Sequence, residues 1–253
     1  KPGDFVRNIY QVTTQDTLLL FTDLGNYLYV PIHILQDTKW KDLGKHISNT
    51  IMISENEKVI GSLILKDKNK CLTLFTKNGL TKQVLLSDLE VTRYSKPMMI
   101  MKLKNDDKLV NISTSHEEAL FVTKNGYYIK IKNQEIPVLG PKASGVKGIN
   151  LKDDELIYGS SIDSTHEYLN IFTNYKTAKK VKLNDLELMN RAKKGNMLFK
   201  KVKAKEYKLV AAYLTVSKDI NVLKNDTEIE EINNSDIPIM DLLSTGSVMF
   251  KNN

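Results

Sequence analysis

Apolar and polar residues alternate with period two through most of this chain, in short runs closed by Gly, Asn, Asp and Lys. Alternation of this kind marks half-buried β-strands, and no run long enough for an ordinary helix carries the helical period. The alternating runs also repeat. Aligned on a turn they read "LFTDLGNYLYVPI" (Leu20–Ile32), "LFTKNGLTKQVLL" (Leu74–Leu86), "FVTKNGYYIKIKN" (Phe121–Asn133), "IFTNYKTAKKVKL" (Ile171–Leu183) and "VLKNDTEIEEINN" (Val222–Asn234). Their anchors are Gly25, Gly79, Gly126, Lys176 and Thr227, spaced 54, 47, 50 and 51 residues apart. Each copy reads as a β-hairpin. Glycine at the anchor supplies the positive φ that a tight hairpin loop needs. In the last two copies Asn174 and Asn225 are expected to take that conformation instead.

Each of the first four periods ends in another apolar strand: "EKVIGSLIL" (57–65), "DKLVNISTS" (107–115), "DELIYGSSI" (154–162) and "YKLVAAYL" (207–214). Between the halves lie a loop and a short strand: "WKDLGKHISNTIMI", "TRYSKPMMIMKL", "GPKASGVKGINL" and "NRAKKGNMLFKKV". Four strands per period predict an all-β, propeller-like array, because a lone four-stranded sheet cannot bury both faces and stacked copies can. A β-sandwich is the alternative. One unit covers residues 1–253, with blades starting near 18, 72, 119, 168 and 219, and residues 1–17 read as the remnant of a preceding blade.

Five positions after the anchor stand Val30, Val84, Ile131, Val181 and Ile232, apolar in every copy and so expected against a neighbouring sheet. The position before it, on the opposite face, holds Tyr29, Gln83, Lys130, Lys180 and Glu231, and the one before that Leu28, Lys82, Ile129, Lys179 and Glu230. Packing demands the apolar column but not the lysines.

Charge sharpens this pattern. The 253 residues carry a formal net charge of +7, which suits an acidic partner. Residues 176–208 sum to +9 and residues 217–243 to −5, a swing that a uniformly Lys-rich protein would not show. The basic candidates are Lys77, Lys82, Lys124, Lys130, Lys132, Lys176, Lys179 and Lys180 on the hairpins. On the connecting loops they are Arg93, Lys96, Lys142, Lys147, Arg191, Lys193 and Lys194. The loop cations sit among Gly140, Gly145, Gly148 and Gly195, where small residues let backbone amides approach a phosphate. Lys124, Lys130, Lys142, Lys147, Lys180, Arg191, Lys193 and Lys194 are expected to be exposed along one continuous surface. Glu228, Glu230 and Glu231 are expected to lie off it. Edge lysines that only prevent sheet-to-sheet aggregation are the competing explanation.

Enzyme chemistry is not legible. His33, His46, His116 and His166 have no metal-ligand spacing with one another or with the single cysteine, Cys71. There is no phosphate loop, nucleophile elbow or dinucleotide fingerprint. "DDE" (Asp153–Glu155) stands where the preceding period has Asp106-Asp107, so a solvated turn is expected there. No catalytic, metal or cofactor site is predicted. One cysteine and no apolar run long enough to span a bilayer suggest a cytoplasmic setting without membrane attachment.

"LLLFTDLGNYLYVPIHILQDTKWKDLGKHIS" (Leu18–Ser48) resembles the C-terminal domain of bacterial type IIA topoisomerase A subunits. "NYLYVP" and "KWKDLGKHIS" look more like the topoisomerase IV branch than gyrase. The resemblance covers nearly the whole chain and fades in the last two copies. It implies a β-pinwheel of five to six blades that exchange strands, binding and bending double-stranded DNA around a basic rim. It also implies a monomeric, non-catalytic part of a larger enzyme. That enzyme's ATP and Mg would sit on other domains, and its partners would be the rest of the A subunit and an ATPase B subunit. The Gly- and basic-rich box of gyrase is absent from the first copy, and "RAKKG" (Arg191–Gly195) is a distant echo in a late one. Besides a gyrase-type wrapping domain, the remaining alternative is a protein-interaction propeller docking through its acidic last copy. The only tryptophan, Trp40, is followed by Lys41 rather than forming a Trp-Asp signature.

Overall fold

The structure, a computed structural model, describes residues 5–39, 41–224 and 229–249. The first period supplies β1 (Thr17–Thr22), β2 (Asn26–Pro31) and β3 (Val59–Ile64). The second supplies β4 (Cys71–Thr76), β5 (Leu80–Leu85), β6 (Met98–Met99) and β7 (Leu109–Thr114). The third supplies β8 (Glu118–Thr123), β9 (Tyr127–Lys132), β10 (Val146–Lys147) and β11 (Leu156–Ile162). The fourth supplies β12 (Tyr168–Thr173), β13 (Thr177–Lys182), β14 (Asn196–Met197) and β15 (Leu209–Thr215), and the fifth β16 (Ile220–Lys224), β17 (Ile229–Asn233) and β18 (Ser247–Val248). Among the described residues the only helical pieces are short 3-10 turns.

Four sheets have four strands each, in the orders β3-β1-β2-β6, β7-β4-β5-β10, β11-β8-β9-β14 and β15-β12-β13-β18. Three strands of each sheet come from one period, and the fourth is donated by the next. The hairpins form where glycine permits them: Gly25, Gly79 and Gly126 have φ of 78°, 78° and 83°. In the fourth hairpin Lys176 itself takes φ 56°. That corrects the expectation that Asn174 would do so. The left-handed residue belongs at the last turn position whatever its side chain, at a cost of about 1–2 kcal/mol outside glycine. The fifth turn, with Asn225, Thr227 and Glu228, lies outside the described residues, as does Trp40.

The apolar column is buried throughout: Val30, Val84, Ile131, Val181 and Ile232 all lie in the core. Successive sheets pack face to face through Val84, Ile131, Val181 and Ile232. Val30 packs instead against Ile51 and other apolar residues of its own period, and not against the neighbouring sheet expected. Leu19, Phe21 and Tyr27 meet Leu72, Leu74 and Val84. Phe75 meets Phe121, edge to face at 5.0 Å, with Ile129 and Ile131 beside it. Leu120, Val122 and Tyr128 meet Leu169, Ile171 and Val181. Each such side chain contributes roughly 1.5–3 kcal/mol on burial, so every sheet depends on its neighbours.

The strands β3, β7, β11 and β15 pack in order on the inner side, which puts the donated strands at the outer rim. The four described turns share one edge. The Leu109 amide donates to the Asp23 carbonyl (2.8 Å), Leu156 to Lys77 (2.8 Å) and Leu209 to Lys124 (2.7 Å), linking each turn to the next copy.

Two expectations are corrected. Four blades are complete, not five or six, because β16 and β17 pair only with each other among the described residues. The middle of the first period forms a 3-10 turn (Ile47–Asn49) where a short strand was predicted.

Candidate nucleic-acid interface

The loops that lead into the donated strands form one band along the outer rim. Each runs beside the outer strand of the preceding hairpin. Val138 bridges to Gln83, Leu188 to Lys130 and Ile239 to Lys180, all in parallel. Each loop also touches the next. The Lys102 amide donates to the Ala143 carbonyl (3.2 Å), Ala192 to Gly148 (2.8 Å), Asn150 to Lys193 (2.8 Å) and Lys200 to Leu243 (3.0 Å). On this band Arg93, Lys96, Lys142, Lys147, Lys193 and Lys194 are exposed. Arg191 is half-buried: its guanidinium donates to the Lys147 carbonyl (2.5 Å) and its amide to Glu135 (2.9 Å), so it fastens two loops together.

Lys77, Lys124 and Lys176 are exposed at the hairpin turns, and Lys132 at the far end of β9. Lys77 and Lys124 share Glu155, each at 3.0 Å. Those two hydrogen bonds hold the Glu155 carboxyl below its ordinary range. Lys77 and Lys124 are therefore partly neutralised, and the rim cations are the stronger anion-facing set.

Four candidates are not on the surface. Lys82 and Lys179 are 0% exposed, Lys180 7% and Lys130 9%, which corrects the expected exposure of Lys130 and Lys180. Each reaches into the next copy's chain. Lys82 Nζ donates to the carbonyls of Gly140 (2.8 Å), Pro141 (3.0 Å) and Ala143 (3.0 Å). Lys179 donates to Asp241 and Leu242, both at 2.7 Å. Lys180 donates to Asn234 (2.7 Å), and Lys130 to Leu183 (3.3 Å) with Glu118 at 3.6 Å. A buried ammonium needs acceptors, and the carbonyls of a turning loop provide them. Burial pushes both Lys82 and Lys179 down to about 8. Lys82 thus shapes the loop that carries Lys142 and Lys147 rather than touching a ligand.

The loop glycines serve packing too. Gly145 (φ 81°) and Gly195 (φ 87°) press against the carbonyls of Thr81 and Tyr128 on the preceding blade, where a Cβ would collide. Gly148 abuts the Phe121 ring. Gly140 alone of the four has open space around it.

Lys200, Lys201, Lys203 and Lys205 were not singled out as candidates, although the run "KKVKAK" that holds them is visible in the sequence. They are exposed beside β14 and, with Tyr127, Phe199 and Tyr207, line a cleft of about 480 Å³. Lys194 lies 4.4 Å from the Tyr127 ring centre and holds that phenol below its ordinary value. On the acidic hairpin, Glu231 is exposed and Glu230 half-buried on β17.

Asp154 closes a turn by accepting the amides of Asn125 (3.0 Å) and Glu155 (2.8 Å), as Asp107 does for Asn78 (2.9 Å) and Lys108 (2.8 Å). Among the described residues no group of three or more His, Cys, Asp or Glu could hold a metal, and no helix is long and apolar enough to cross a membrane.

A family model described as DNA gyrase C-terminal domain, beta-propeller, matches residues 16–66, 72–115, 117–158 and 177–215. The A subunit of DNA topoisomerase 4 from Bacillus subtilis (strain 168) is 32% identical over 255 residues, covering 99% of this chain and 32% of that protein. Its counterpart from Staphylococcus epidermidis is 32% identical over 252 residues, covering 98% and 32%. The chain spans about a third of the length of these relatives. A crystal structure of the C-terminal domain of DNA topoisomerase IV superposes with a TM-score of 0.89 at 37% identity, covering 94% of this chain and 75% of that one. A DNA gyrase A C-terminal domain superposes with a TM-score of 0.76 at 19% identity, covering 96% and 80%, and so shares the fold.

Proposed function

Because this chain belongs to the DNA gyrase C-terminal, beta-propeller family, we propose that it binds and bends duplex DNA as the non-catalytic C-terminal domain of a type IIA topoisomerase A subunit of the topoisomerase IV kind. The observation that carries this reading is the rim band, where loops from successive copies join edge to edge and present Lys142, Lys147, Lys193 and Lys194 to solvent. A duplex following that rim meets lysines from one blade and then the next. Separate ammonium groups on a convex surface fit phosphates and carry no base-reading geometry. Binding is therefore weakly sequence-specific and strongly salt-dependent.

In the whole enzyme the domain holds and orients DNA for ATP-dependent strand passage in decatenation and supercoil relaxation. ATP and Mg act on other domains, and the partners are the rest of the A subunit and the ATPase B subunit, in the cytoplasm. The domain itself acts as a monomer and needs no cofactor. The topoisomerase IV reading is favoured over gyrase by the 37% identity and 0.89 TM-score to that domain. A mobility-shift comparison of several unrelated duplexes at two salt concentrations tests the reading. Near-equal affinities that fall together with salt are expected. No binding at low salt, or one duplex strongly preferred, would contradict it.

A further inference from the structure

Beyond its lysines the rim carries a row of bare apolar side chains. Twelve residues after the anchor stand Val91, Val138, Leu188 and Ile239 in copies two to five. Val138 is 54% exposed, Leu188 41% and Ile239 49%, while Val91 is half-buried. A single exposed leucine or valine means little. The recurrence is different, because this is one backbone site seen three times. Val138, Leu188 and Ile239 each form the parallel bridge to the fourth residue after the preceding anchor, Gln83, Lys130 or Lys180. The neighbours of Val138 and Ile239 clasp that residue from both sides. Gln83 donates to Pro137 and Leu139 back to Gln83, both at 2.9 Å; Lys180 donates to Pro238 (2.8 Å) and Met240 back to Lys180 (3.0 Å). The backbone beneath the row is thus rigid, and the side chains stand outward on a fixed track.

Burial does not explain these residues. The chain buries the apolar column five residues after each anchor to 8% exposure or less, yet leaves branched apolar residues here, where serine or lysine would cost nothing in packing. Cations stand close by in sequence: Lys142 four residues after Val138, Arg191 three after Leu188, with Lys193 and Lys194 following. At Val138 and Leu188, apolar tips on a rigid backbone followed by exposed lysines match the way proteins kink DNA. A wedge enters the minor groove and partly unstacks one base step, and the cations hold the backbone on either side.

We propose that Val138, Leu188 and Ile239 are wedges that press into the minor groove of a duplex laid along the rim, so that each blade bends the DNA at one step. The inference rests on the DNA-binding reading and adds to it the residues that bend. It also places bending at flexible pyrimidine–purine steps, which unstack most easily. Ile239 extends the row onto the acidic fifth copy, where lysines are absent from the loop.

The test compares three forms of the chain: the parent, Val138→Ser/Leu188→Ser/Ile239→Ser, and Lys142→Gln/Lys147→Gln/Lys193→Gln/Lys194→Gln. The duplex carries a donor and an acceptor dye at its ends and 2-aminopurine at internal TA steps. The parent is expected to raise energy transfer and brighten 2-aminopurine. The serine variant should lose most of both signals and bind about tenfold more weakly, with an unchanged salt slope and an unchanged melting temperature. The lysine variant should lose slope and affinity. If the serine variant bends DNA and brightens 2-aminopurine like the parent, the wedge inference is overturned while the rim reading stands. If the lysine variant binds with the parental slope, the rim reading itself fails. A serine variant with a lowered melting temperature is replaced by the corresponding alanine variant, for which the same loss is required.

Discussion

Lys82 and Lys179 stand three residues after their anchors, in copies two and four, and each spends its charge on backbone carbonyls of the next copy. Burial lowers both to about 8, whereas the unfolded chain keeps its lysines near 10.4. Between those values the unfolded state holds protons that the folded state has released, so stability rises with pH across that window. Below about pH 8 the cost of burying two ammonium groups is present in full. Urea unfolding at about pH 7 and about pH 10 should therefore show a gain in the parent that is missing from Lys82→Met/Lys179→Met. Parallel behaviour of the two would refute the assignment. A hairpin lysine at period two could not be told from a surface lysine in the sequence, because its acceptors come from loops some 60 residues away. Val30, Val84, Ile131, Val181 and Ile232 were legible as core for the opposite reason: an apolar column repeated in every copy has one explanation.

Hairpins were readable because their signals are local. A glycine with positive φ follows one alternating run and precedes the next, and the long strands β3, β7, β11 and β15 follow the same logic. The donated strands β6, β10, β14 and β18 are two residues each, too short to carry a period, and their partners lie in the preceding copy. Their register is set by close contact. Gly195, at φ 87°, lies against the Tyr128 carbonyl, which leaves no room for a Cβ. Gly195→Ala should destabilise the chain by about 1–3 kcal/mol and release β14 from β9. Hydrogen exchange at Asn196 and Met197 reports it: faster exchange there than at β12 supports the assignment, and unchanged protection contradicts it. Among the described residues the fifth hairpin, β16–β17, stands as a two-stranded sheet.

The whole molecule is a row of packed blades in which core, edge and rim come from one repeated instruction. Strand donation joins each blade to the next, so the rim loops become a continuous band rather than isolated tips. The positive region of the sequence, residues 176–208, falls on the fourth copy, exposed rim cations stand on copies two to four, and the acidic region begins at the fifth hairpin. The band as a surface was foreshadowed by regional charge, yet which lysines belong to it required the fold, since four of the fifteen candidate cations turned inward. The most direct test is the salt dependence of duplex binding in Lys142→Gln/Lys147→Gln/Lys193→Gln/Lys194→Gln, set against Lys66→Gln/Lys68→Gln/Lys70→Gln at the edge opposite the turns. With one phosphate per rim lysine, the first variant should lower the log–log slope by about 3.6 while the second leaves it unchanged. A parental slope in the rim variant, or an equal loss in both, would contradict a DNA path along the rim.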